Sequence, residues 1–411
     1  MSFFFSRDTK VFMKFHASAD GTDDALYEIP VLDGFSFSQS TNSTEVTLNE
    51  AADSSGNSKR GRAMFNDSFA PAEWSFSTYM RPSVSDSSDT YTIASGEGSH
   101  AGNEKKFAVE GPLWAAMSAT TYNLAVGGTG APTLASFEPN VFNFQNSNKV
   151  ALGVFDLFFV LGASKDTDGT YTSGSGGVMI YKIEGCSIGS ASIDFDIEGI
   201  AQVAWSGNGK LITEQATLNT AAGQASTKGL INEGISSTTN FIRQKLTDLA
   251  IAYDASESTG DTTGIGSSDI TYSLTLTGGN ITIENNLTYL TPESLGTVNQ
   301  PLGHVMGTRS VSGNFTCYLN DVSNGSADLF ENLVESTGLI TNAFALTFGI
   351  GGSGNTPSVD VAIPKAHLEL PSHSIDDVIG IEVNFHGLSS DLSSATASSS
   401  ANEVSITYDA S

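Results

Sequence analysis

Three carboxylates recur at every second position in "ASIDFDIEGI" (Ala191 to Ile200): Asp194, Asp196 and Glu198. Side chains alternate along an extended chain, so these acids share one face and Ile193, Phe195 and Ile197 share the other. Such a row has two readings. It can be an incidental solvent face, kept at a small repulsive cost. Or it can hold a surface anionic, as along an aqueous channel. A later run presents Glu382, Asn384 and His386 in the same alternation, a weaker stripe, and Glu284 follows Ile283 in another alternating run. Hydrolysis by two convergent carboxylates would need a specified pair, and no spacing here specifies one.

Other chemistry is hard to find. His16, His100, His304, His367, His373 and His386 are scattered, without HExxH spacing, and isolated histidines are mostly structural or exposed. There is no GxSxG elbow, no phosphate loop and no GxGxxG run before a helix. "GIGGSG" (Gly349 to Gly354) lacks the following Lys or helix and reads as a turn. "KDTDGTY" and "ADGTDD" lack the terminal Glu of a calcium loop and read as Asp-Gly turns. Cys186 and Cys317 stand alone, which fits a reducing compartment and no metal site. The expectation is no catalytic residue, no metal and no cofactor.

The charge balance bears on partners. The chain of 411 residues carries 45 acids and 18 bases, a net charge of −27. From Asp254 to Ser411 there are 18 acids against two bases, Arg309 and Lys365, a balance of −16. Such a surface repels nucleic acid at long range, which argues against sequence-reading DNA or RNA binders. Arg7, Asp8 and Lys10 interrupt the aromatic start before a signal-peptide core forms. No apolar run reaches the ~18 residues of a membrane span. A soluble product made in the cytoplasm is expected.

The elements that position these residues are short strands. Glycine is abundant at 42 residues and proline scarce at 11, and Phe35/Phe37, Trp74/Phe76/Thr78 and Leu274/Leu276 alternate as half-buried strands do. Comparing the chain with itself exposes an internal repeat. "FSFSQS" (Phe35 to Ser40) matches "ITIENN" (Ile281 to Asn286), and "WSFSTYMRP" (Trp74 to Pro82) matches "GNFTCYLND" (Gly313 to Asp321). "GPLWAAMSA", "FDLFFVLG" and "DIEGIAQVAWSG" then match "SADLFENLVESTG", "FALTFGIGG" and "DVIGIEVNFHG" in the same order. Five blocks in one order indicate a duplication.

Each copy reads as a small antiparallel β-sandwich with one packed helix. Pro112 suits a first helical turn in copy one. In copy two Ser326 is the expected N-cap, Leu329/Phe330/Leu333/Val334 the apolar stripe and Gly338 the stop. Trp74, Trp114 and Trp205 are expected in the core. The expected domains are 1–210 and 265–411, with 211–264 between them as a linker segment in which "IRQKLTDLAI" leans towards strand. Copy one carries insertions near 83–103, 120–148 and 164–177.

Taken together, "EIPVLDGFSFSQSTNSTEVTLNEA", "RGRAMFNDSFAPAEWSFSTYMRP", "IEGCSIGSASIDFDIEGIAQVAWSGNGK", "NNLTYLTPESLG" and "GTRSVSGNFTCYLND" resemble bacteriophage tail tube proteins with two tandem tube domains per subunit. The resemblance implies a mainly β fold of two tandem sandwich or barrel-like domains, each with a flanking helix. It implies a structural virion protein whose subunits form trimeric, pseudo-hexameric rings, stacked into a tube. The partners implied are further copies of the chain, other tail proteins, and genomic DNA passing without specific binding. Asp194, Asp196, Glu198, Glu284 and Glu382 become candidates for the lumen. The loops Thr41 to Asn66 and Asn285 to Thr308 look like arms reaching an adjacent ring, with Thr41, Asn42, Glu45, Asn49, Asn285, Asn286, Thr291 and Glu293 as candidate contacts. The alternative is an extracellular acidic β-sandwich adhesin or carbohydrate-binding module, and a hydrolase is a third with no positive feature.

Overall fold

The computed structural model describes residues 4–15, 25–46, 54–55, 63–84, 106–118, 140–145, 152–162, 169–220, 240–254, 269–292, 298–335, 344–375, 378–389 and 402–410. The first half runs β1 (Thr9–Phe15), β2 (Ala25–Ile29), β3 (Ser36–Ser38), the hairpin β4 (Thr41–Val46) and β5 (Ala63–Phe69), β6 (Ala72–Tyr79), β7 (Pro82–Val84), β8 (Lys106–Ala108) and helix α1 (Gly111–Ser118). It continues through β9 (Val141–Gln145), β10 (Phe155–Leu161), β11 (Thr170–Thr172), β12 (Met179–Asp196), β13 (Gln202–Gly209), β14 (Ile212–Glu214) and β15 (Thr217–Asn219). The second half runs β16 (Asp248–Tyr253), β17 (Ile270–Ser273), β18 (Leu276–Glu284), the hairpin β19 (Leu287–Leu290) and β20 (Gly303–Met306), β21 (Ser310–Tyr318) and helix α2 (Ser326–Glu335). Then follow β22 (Phe344–Ile350), β23 (Ser358–Leu368), β24 (Ser372–Ile375), β25 (Ile379–Gly387) and β26 (Asn402–Asp409). The protein is mainly β, and all its strand ladders are antiparallel among the described residues.

Pairings recur between the halves. In the first, β2–β1–β10–β12–β14 form one run and β3–β6–β13–β12 another. In the second, β17–β16–β22–β23–β26 and β18–β21–β25–β24 repeat that order. Each half is therefore two facing layers, with alternate apolar side chains between them. The long β12 serves both layers of its half. Its start pairs with β10 and β14, its end with β13 and β18. The change of partner falls at Gly185, whose φ of +59° suits glycine and whose N–H donates to Asp156 Oδ1 (2.9 Å).

The core confirms the alternation. Trp74, Trp114 and Trp205 are 2%, 0% and 1% exposed. "IRQKLTDLAI" resolves into a 3-10 turn, Gln244–Leu246, and then β16, the strand expected. β16 pairs with β22 inside the second half, so residues 248–253 of segment 211–264 are sheet, as β14 and β15 are at its near end. The Ser326 expectation is corrected: Ser326 is the first helical residue, and its hydroxyl donates to Tyr318 O (2.8 Å) and accepts from Asn320 N (2.8 Å). It ties the helix back to β21. Gly338 lies outside the described residues, as do most of the three insertions; β9 and β11 are the strands described inside them.

Candidate functional site

Eight strands form one continuous layer across both halves, in the order β3–β6–β13–β12–β18–β21–β25–β24. The join is β12 against β18, seven residue pairs from Ser190↔Glu284 to Asp196↔Gly278. Ala191, Ile193, Phe195, Ile281 and Ile283 put the apolar side of that join in the core. The other side is open and polar.

Asp194 and Asp196 are exposed on this open side, opposite Asn280 and Gly278. Glu284 and Glu382 share it. Ser310 Oγ donates to Glu284 Oε2 (3.5 Å), and Asn314 Nδ2 donates to Glu382 Oε1 (2.6 Å). Along these strands the outward positions are otherwise mainly Ser, Thr, Asn and Gln, and Lys and Arg occupy none of them. At one margin Glu369 accepts from Asn384 (3.0 Å) and lies 3.1 Å from His386 Nε2. Those hydrogen bonds hold its carboxyl below the ordinary range.

Two details depart from the expected pattern. β12 ends at Asp196, so Ile197 is 48% exposed rather than core. Ile197 N donates to Asp196 Oδ1 (2.6 Å), and Gly199 (φ +114°) turns the chain away. Glu198 therefore sits in the bend, exposed, past the row. Glu73 was not among the candidates and belongs with them: it is exposed on β6, opposite Asn208 and Ser38. Its signal was legible, since it precedes Trp74 in the same alternation.

A shallow groove of about 620 Å³ crosses this face, lined by Ser192, Asp194, Asp196, Gln202, Gln244 and Thr316 among others. No cluster of three or more His, Cys, Asp or Glu able to hold a metal occurs among the described residues. The outward aromatic side chains of the layer are Tyr79 and Tyr318, at strand ends rather than in a stacking strip for sugars.

The candidate arm residues separate. Thr41 and Asn42 are exposed on β4, Glu45 is half-buried there, and Thr291 is half-buried just beyond β19. Asn286 is exposed at a φ of +47° and donates to Thr308 O (2.7 Å). Asn49 and Glu293 lie outside the described residues. Asn285 is corrected: it is 1% exposed, its amide donates to Met117 O and Ile188 O (3.2 Å each), and its Oδ1 accepts from Arg309 Nε (3.2 Å). A buried amide satisfied on three sides holds the halves together and is not an arm contact. The two hairpins touch each other, with Phe69 N donating to Asn299 O (2.9 Å) and Asn299 N to Asp67 O (3.2 Å). Met64, Phe65, Leu290 and Leu302 are exposed on these hairpins or the segment joining β19 to β20.

Packed antiparallel layers, joined edge to edge within one chain and leaving a broad polar face, define a mainly β protein. No protein-family model matches the chain. It is 30% identical over 398 residues to the tail tube protein pb6 of Escherichia phage T5, an alignment covering 95% of this chain and 74% of that protein. The chain belongs to the phage tail tube proteins.

Proposed function

We propose that this chain is the structural subunit of a phage tail tube, that three copies close into a pseudo-hexameric ring, and that stacked rings conduct the genome. The observation that carries the reading is the open face of the eight-strand layer. Its outward strand positions offer carboxylates (Glu73, Asp194, Asp196, Glu284, Glu382), small hydroxyls and amides, and no Lys or Arg, with Lys245 at the margin beside Asp196. Duplex DNA binds proteins mainly through phosphate contacts that release counterions. A wall whose strands present carboxylates and no cations gives DNA little to hold, so it slides.

The recurring pairing order supports two tandem tube domains from an internal duplication, with the second beginning near residue 240 rather than 265. Two domains per chain make three chains the natural closed ring. Three eight-strand layers at ~4.8 Å per strand give a circumference of roughly 115 Å and a diameter of about 37 Å, before strand tilt widens it. Such a bore passes a double helix. The β4–β5 and β19–β20 hairpins, with their exposed apolar side chains, are the proposed contacts to the next ring. The subunit is assigned to the virion tail, is synthesised in the host cytoplasm, and acts without enzymatic turnover. No helix among the described residues is long and apolar enough to cross a membrane.

Negative-stain microscopy of concentrated protein tests this. Rings or tubes with threefold symmetry are expected, and a persistent monomer would refute it. Phage carrying Asp194→Lys with Asp196→Lys are expected to assemble tails and deliver DNA poorly.

A further inference from the structure

Within the eight-strand layer the two halves meet at one junction, β12 against β18, and the repeat says where the next one must be. The eight-strand layer ends on β3 at one side and β24 at the other. Among the described residues β3 pairs only with β6, and β24 only with β25. Short edges of this kind limit promiscuous strand pairing, and they also mark where a partner adds.

The register follows from residue pairs. β6 and β21 correspond through Phe76 and Phe315, which sets Ser77 against Thr316. Ser77 lies opposite Ala204, and Thr316 opposite Glu382. Ala204 lies opposite Ser192, and Glu382 opposite Ser372. Ser372 therefore occupies the place of Ser192. On the other side, Trp74 lies opposite Phe37 and Gly313 opposite Ile281, so Phe37 occupies the place of Ile281 and Ser38 that of Thr282.

Inside the chain Ser192 faces Thr282, close enough for Thr282 Oγ1 to donate to Ser192 Oγ (3.4 Å), and Ile193 faces Ile281. We propose that β24 of one subunit pairs antiparallel with β3 of the next, with Ser372 opposite Ser38 and His373 opposite Phe37. This rests on the ring reading and specifies its subunit contact. Burial supports it independently. At the internal junction Ile193 and Ile281 are 1% and 0% exposed, whereas on β24 His373, in the place of Ile193, is exposed, and Leu370 just before the strand stands 66% open. A second copy covers what the chain covers at its own midpoint. The contact is heterologous, head to tail, so it closes only as a ring.

The test is disulfide trapping with Ser38→Cys/Ser372→Cys. Directly opposed residues of antiparallel strands lie ~4.5–5.5 Å apart at Cα, within disulfide reach. The two positions are seven strand spacings apart in one chain, roughly 34 Å along the layer, so a bridge must join two chains. The native Cys186 and Cys317 are buried. Mild oxidation of assembled double variant should convert the monomer into a ladder ending at a covalently closed trimer, with neither single variant doing so. A bridge formed instead by Ser36→Cys/Ser372→Cys, a two-residue slip, overturns the register. Rings seen by microscopy without a bridge in either double variant overturn the junction while leaving the ring intact. Wild-type protein that forms no ring overturns the ring reading, and the junction with it.

Discussion

The two helices occupy matching places, α1 between β6 and β10 and α2 between β21 and β22, and they end up in different surroundings. Every residue of α1 is buried, whereas α2 leaves Val334 52% exposed. The other half of the chain makes the difference. Trp114 Nε1 donates to Tyr408 Oη of β26 (2.7 Å), and Asn285 from the end of β18 donates to Met117 O (3.2 Å). β26 also pairs with β9, whose Phe144 meets Trp114 edge-on at 6.2 Å. On α2, Asn332 donates to Tyr272 Oη (2.9 Å) and Phe330 meets His373 at 4.4 Å, both within its own half. One helix is closed in between the two halves of the chain, and the other leaves its outer side open.

The largest expected effect is therefore on α1. Trp114→Ala removes a fully buried indole packed 4.5 Å from Trp205 and should cost about 3–5 kcal/mol in urea unfolding of the monomer. Equal sensitivity to truncations on the outer side of α2 would break the comparison.

Next comes a pH effect confined to the α1 side. Glu110, fully buried just before α1, accepts from Tyr408 Oη and from Arg81 N (3.3 Å). Burial pushes its carboxyl from 4.5 up to about 7, against the opposing pull of Tyr408, the backbone N–H groups and the Arg81 charge. Between those values the folded chain holds a proton that the unfolded chain has released, so stability falls as pH rises through the window and levels off above it. At ~1.4 kcal/mol per unit the loss is roughly 3 kcal/mol. Melting at pH 5 and pH 8 should differ accordingly, and Glu110→Gln should flatten the profile. An unchanged slope in that variant would assign the effect elsewhere.

How much of this was legible depends on how far the deciding partner lies along the chain. Period two alone placed Trp74 and Trp205 inside and Asp194 and Asp196 outside, because a strand's faces are set by its own residues. The same rule failed at Ile197, where Gly199 ends the strand and no periodicity announces it. Asn285 read as a loop residue because its partners, Met117 and Ile188, come from the other half. The closure of α1 was hinted at by "GPLWAAMS", apolar on all sides as a helix buried all round must be. That β26 supplies the cover, 294 residues from Trp114, could not be read from any local pattern.

The smallest effect separates the helices most sharply. Val334→Ser changes an exposed position on α2 and should shift monomer stability by no more than about 0.5 kcal/mol. If α2 waits for the cover that α1 already has, the same substitution should still lower the yield of rings, because it removes apolar surface buried only on assembly. Sedimentation of wild type and variant at matched concentrations reads the difference. Matching ring yields would mean that the exposed face of α2 belongs to the outside of the tube, and that the two helices differ for reasons internal to each half.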